Sequence, residues 1–185
     1  LLDPDVDLFR RLDPSEIPPT VNGIRGSSQL VVVLASGVPA ETAEASRILL
    51  AAMGRERLPL LREEEAPPET VADRDVLYIG VPEGNGRLPD MLPEDLTLSP
   101  GKFTLNGTAY SAPGDALFAA FPHPSSPGRV AAVFLPLSPG AAVAAGRKIP
   151  HYGRYSYLVF SEGNSRAKGT WAPAVSPSVL RFPKP

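Results

Sequence analysis

The sequence predicts an α/β protein: a three-layer mixed sheet, mostly parallel with an antiparallel hairpin region, and helices on both faces. Three observations predict it. Gln29-Leu30-Val31-Val32-Val33-Leu34-Ala35 is a continuous β-branched run bounded by turn residues, the pattern of a strand buried on both faces. Residues 40–54 then keep helical spacing through Ala43, Ile48, Leu49, Ala52 and Met53, with Gly54 as a C-terminal stop. A second buried-type run, Asp75-Val76-Leu77-Tyr78-Ile79-Gly80, completes a β–α–β unit, for which parallel pairing is the default.

The remaining elements follow in order. Residues 1–28 read as an N-terminal arm, because Asp3-Pro4, Asp13-Pro14 and Pro18-Pro19 break any long helix. One helical turn fits around residues 8–12, and Gly23, Gly26, Ser27 and Ser28 read as a flexible join. A single domain is expected over 29–185. Residues 58–61 suit a short second strand, and Glu63-Glu64-Glu65-Ala66-Pro67-Pro68 reads as a solvated loop. Apolar alternation around Asn106-Gly107 signals a hairpin over 103–110. Residues 116–121 and 130–135 read as two apolar strands joined by a Pro-rich loop. A weak helix is expected over 139–148, a last strand over 155–160, and an irregular tail from Glu162 onward.

Composition limits the chemistry. The chain has 185 residues, of which 43% are hydrophobic and 21% charged, enough for one sizeable core. No run approaches the roughly 18 apolar residues of a membrane helix. Cysteine is absent, which removes disulfides and thiolate nucleophiles. The 23 prolines lie between apolar runs, so they predict short stiff loops rather than disorder. Net charge is −2 but uneven: residues 116–185 carry eight Lys and Arg against Glu162 alone. No dense basic run of the nucleic-acid type occurs, so the two halves are expected to neutralise each other in part, and no nucleic acid is expected as a partner.

Catalytic motifs are weak. Gly80, Gly84 and Gly86 follow a strand, but their spacing is not that of a dinucleotide loop, and Glu83 would repel phosphate. The two histidines, His123 and His151, form no His-Glu-x-x-His motif, so no metal ligand is assigned in this segment. No Gly-x-Ser-x-Gly elbow is present. Ser36 after the first strand is the nearest imitation, and a serine hydrolase would pair Ser36 or Asp115 with His151. A turn serine starting the helix near Pro39 is the preferred reading of Ser36. Asn106-Gly107-Thr108 matches a glycosylation acceptor, although the hairpin turn already explains it.

The richest stretch runs from His151 to Trp171. It holds the only Trp, three of the five Tyr and a group of cations. One reading is a sheet strand with its aromatics against helices. The other is an aromatic–cationic contact surface made of His151, Tyr152, Arg154, Arg166, Lys168 and Trp171, since aromatic and Arg clusters anchor interfaces. A ligand-binding module for a small molecule, carbohydrate or protein would use His151, Tyr152, Arg154 and Trp171 on a concave surface.

Several segments resemble a known family. Residues 2–20, from Leu2-Asp3-Pro4 to Pro18-Pro19-Thr20, are similar to the join that follows the peptidase region in some bacterial gluzincin (M1-type) aminopeptidase-like proteins. Phe121-Pro122-His123-Pro124, Pro127-Gly128-Arg129-Val130 and Pro150-His151-Tyr152-Gly153-Arg154-Tyr155-Ser156-Tyr157 resemble the C-terminal α/β domain of such proteins. The family's zinc ligands and general base lie upstream, in a His-Glu-x-x-His helix, and no position here matches them. The resemblance therefore implies a non-catalytic accessory domain, with zinc held elsewhere in the parent and no cofactor in this segment. Its implied partners are the upstream domains of the same polypeptide, with a further protein partner at the basic C-terminal edge. The opening Leu1-Leu2-Asp3-Pro4, without Met, is read in the same sense, as a piece of a longer protein.

Overall fold

The computed structural model describes residues 17–83, Leu88 and 92–171. The turn expected at residues 8–12, most of the join at 2–20 and the glycines at 84 and 86 lie outside these. Among the described residues, four helices, α1 (Val21–Gly26), α2 (Ala40–Ala52), α3 (Pro68–Val71) and α4 (Pro139–Gly146), accompany ten strands. The strands are β1 (Leu30–Leu34), β2 (Leu60–Arg62), β3 (Asp75–Ile79), β4 (Leu96–Ser99), β5 (Lys102–Leu105), β6 (Thr108–Tyr110), β7 (Asp115–Pro122), β8 (Val130–Pro136), β9 (Tyr157–Ser161) and β10 (Asn164–Gly169).

Seven strands form one sheet in the order β10-β9-β7-β8-β3-β1-β2. Pairing is parallel from β2 through β1 and β3 to β8, and antiparallel from β8 through β7 and β9 to β10. The α/β class and mixed sheet are as the sequence predicts. Each long strand is buried on both faces, which is why its apolar run is continuous rather than alternating.

One face packs Val32, Leu77, Ile79, Phe118, Phe134 and Phe160 against α1, α2 and α4. The helices approach closely at Gly146, where a Cβ would stand 2.6 Å from Ile48 Cγ2. The other face carries Val33, Tyr78, Phe121 and Val159 under α3 and a separate three-stranded sheet, β4-β5-β6. That face is thus covered by one short helix and a small sheet. Asn106 and Gly107 take φ values of 49° and 74° in the β5–β6 turn, the left-handed pair a two-residue hairpin requires.

Three expectations are corrected. Residues 21–26 are not a flexible join: they form α1, with Val21 and Ile24 fully buried. The acidic stretch at 63–65 is not a solvated loop but a 3-10 turn that buries Glu63. Residues 164–169 are not irregular, because they form β10, which pairs antiparallel with β9. Its hairpin turns on Glu162 and Gly163, with φ of 50° and 70°. Strand β10 was hidden because Asn164-Ser165-Arg166-Ala167-Lys168-Gly169 lies at a sheet edge and carries almost no apolar pattern.

Candidate functional site

The His151 region is built from the end of α4 outward. Ile149 and Pro150 are buried and anchor a 3-10 turn over Ile149–Tyr152, which leaves His151 exposed and Tyr152 half-buried. The Tyr152 ring meets Phe160 edge-on at 5.9 Å and Tyr155 at 6.1 Å, so it is seated on the core. Helix α1 closes one side. Val21 N–H donates to the Tyr155 carbonyl at 3.0 Å and Asn22 N–H to the Gly153 carbonyl at 2.9 Å. The approach is close: a Cβ at Gly153 would meet the end of the Asn22 side chain.

Strand β10 closes another side. Lys168 stands opposite Leu158 and so faces the helix side of the sheet. Its Nζ lies 5.3 Å from the Tyr152 ring centroid and 5.4 Å from that of Tyr155. Arg154 lies 5.3 Å over the Tyr155 ring and donates from Nη2 to Tyr155 Oη at 3.3 Å. That hydrogen bond, reinforced by the positive charges of Arg154 and Lys168, lowers the Tyr155 phenol below its ordinary pKa. Together these residues line a cavity of about 510 Å³, to which α1 adds Asn22 and Arg25.

Four of the six predicted contact residues therefore meet: His151, Tyr152, Arg154 and Lys168. Trp171 does not join them. Its ring lies 4.4 Å from Tyr157 on the opposite face, and its indole N–H donates to the Ala120 carbonyl at 2.7 Å. Trp171 is a clamp across the sheet. Arg166 sits exposed at a bulge of β10, outside the cavity lining. Asn22 and Arg25 were missed because α1 was read as linker. The signal was present: Val21 and Ile24 three residues apart, flanked by polar residues at the same spacing.

A second cavity, of about 270 Å³, lies at the other end of the strands. The chain leaves β1 toward β2 on one side and returns to β3 on the other, so the loops after β1 and β3 separate. Such a switch point is the usual ligand crevice of open α/β sheets. Here it is lined by Ser36, Gly37, Val38, Gly80, Val81 and Glu83, among others. Two of its backbone N–H groups, those of Ser36 and Glu83, are already occupied. Glu63 Oε2 accepts from Ser36 N–H at 3.0 Å, from Ser36 Oγ–H at 3.2 Å and from Glu83 N–H at 3.3 Å. The chain's own carboxylate holds the place an anionic ligand would take.

This geometry separates the residues a serine hydrolase would need. The Ser36 hydroxyl donates to Glu63, and His151 lies beyond the opposite end of the sheet in another cavity. Asp115 is committed as well, accepting from Ser161 Oγ–H at 2.6 Å and from Ala112 N–H at 2.9 Å. Among the described residues, no group of three or more His, Asp or Glu side chains is placed to hold a metal ion. No helix of the described residues is long and apolar enough to cross a membrane.

No protein-family model matches the chain, and no curated protein matches it.

Proposed function

We propose that this chain is a non-catalytic α/β module that works by contact, as an accessory domain of a larger gluzincin aminopeptidase-like protein. In that role it packs on the catalytic unit or restricts access to it, and any zinc belongs to the parent's upstream region. One observation carries the contact reading. The family-like residues from Pro150 to Tyr155 converge with α1 and β10 into an exposed aromatic–cationic surface. Among the described residues, no carboxylate pairs with Arg25, Arg154 or Lys168 there. Cations left exposed beside ordered rings are the composition that protein interfaces favour.

The gene tests this reading. An upstream peptidase-like region with a His-Glu-x-x-His helix is the expected finding. An open reading frame starting near Leu1, with no such region, contradicts it.

A further inference from the structure

We infer, on the basis of this contact-module reading, that the surface between α1 and β10 binds an acidic, extended polypeptide segment. The surface is longer than one cavity. A neighbouring cavity of about 360 Å³ shares Asn22 and Arg25 with the first and ends at Arg55. The two cavities together present Arg55, Arg25, Arg154 and Lys168, with His151 beside them, and among the described residues no Asp or Glu lines either one. In a chain of net charge −2 with twenty acidic residues, that separation of sign is a local property of the fold.

Three of the four cations, Arg55, Arg154 and Lys168, are held rather than loose. Arg55 donates from Nη2 to the carbonyls of Arg25 and Ser27, which caps the C-terminal end of α1. Arg154 and Lys168 rest over the Tyr152 and Tyr155 rings. Ordering these long side chains beforehand lowers the entropy cost of binding.

The same contacts choose among anionic partners. A single-stranded nucleic acid is gripped by stacking its bases on open aromatic faces. Here the chain's own cations already cover the rings. What remains outward is a row of donors spaced along two cavities, which suits successive carboxylates of a polypeptide.

Fluorescence anisotropy on the intact chain tests the inference. The probe is a labelled peptide of about twelve residues alternating Asp, Glu and Gly, set against its Asn/Gln counterpart and an oligo-uridylate of similar length. Only the acidic peptide is expected to bind, with affinity falling about tenfold between about 50 and 300 mM salt. The double variant Arg154→Glu/Lys168→Glu, and Arg25→Glu independently, should each weaken binding by about tenfold or more. Arg62→Glu, whose native side chain lies near Glu64, should change it less than about twofold. Circular dichroism and melting confirm that the variants fold.

Absence of peptide binding, equal binding by the reversal variants, or tighter binding of the oligo-uridylate would each overturn the inference. Its failure is distinct from that of the accessory-domain reading. An upstream peptidase region without peptide binding removes only the acidic partner. Peptide binding without that region removes only the parent.

Discussion

The two ends of the central sheet handle charge in opposite ways. At the carboxyl ends of β1 and β3, where open α/β sheets commonly hold ligands, the Ser36 N–H and hydroxyl and the Glu83 N–H are consumed internally by Glu63. At the other end, beside α1 and β10, cations are ordered by aromatic rings but meet no carboxylate among the described residues. An internally compensated crevice is a structural joint. An uncompensated, pre-ordered surface is left with interaction energy to give to a partner. The difference shifts attention from the position where the fold class usually works to one that the fold class does not predict.

The contrast is not a general property of either end. Arg129, also near the amino ends of the parallel strands, lies 3.7 Å from Asp75 and donates to Gln29. The chain therefore pairs cations in that neighbourhood where the structure needs it. Among the described residues, Arg25, Arg55, Arg154 and Lys168 make no such ion pair.

The largest way to break the comparison is at Gly80, which holds φ of 87° and packs against Val38 and Ala35 in the wall of the crevice. Gly80→Ala should cost about 3 kcal/mol in urea melts, from backbone strain and overpacking together. Next comes Glu63→Ala, which removes an acceptor shared by three donors and should cost about 2 kcal/mol. The opposite end should respond differently. Lys168→Met keeps the apolar stem and should change stability by less than about 0.5 kcal/mol, because the lost cation is exposed. Equal losses at Glu63 and Lys168 would erase the distinction between joint and surface.

A smaller effect concerns pH. His123 is buried in the β7–β8 loop, and its Nδ1 accepts from Ser125 N–H at 3.2 Å. Burial lowers its pKa below 6.5, against the opposing pull of the Val71 backbone and of Asp75 and Asp73. The unfolded chain therefore takes up a proton before the folded chain does. Its contribution to stability is complete above about pH 6.5 and is lost as the pH falls toward the lowered folded value. Comparing urea melts of the native chain and His123→Gln between about pH 7.5 and pH 5 should show a shallower acid decline in the variant. Parallel curves would mean that His123 is not held neutral.

Much of the fold was legible because its long strands are buried on both faces and carry unbroken apolar runs. Strands β1, β3, β7 and β8, helix α2 and the Asn106-Gly107 hairpin could all be read directly. What escaped was held by context rather than pattern. Helix α1 is six residues long and reads as glycine-rich linker, yet its two apolar residues fill the core. Edge strand β10 has no alternation to detect. Glu63 looked solvated because three glutamates stand in a row, and only the folded chain brings Ser36 and Glu83 to it.

The contact surface was half legible for the same reason. His151, Tyr152 and Arg154 are close in sequence, and Lys168 could be placed near them. Arg25 and Arg55 reach the band only through tertiary packing. Trp171, the most conspicuous residue of the stretch, belongs to the other face. Rarity in the sequence marked a clamp and not a contact.

The most direct test is amide chemical-shift mapping of the labelled chain during titration with the acidic peptide. The largest shifts should fall on Asn22, Arg25, Arg55, His151, Arg154 and Lys168, with Ser36, Gly37, Gly80 and Glu83 unmoved. Shifts concentrated on the crevice residues instead, or no saturable shifts in the band, would contradict it.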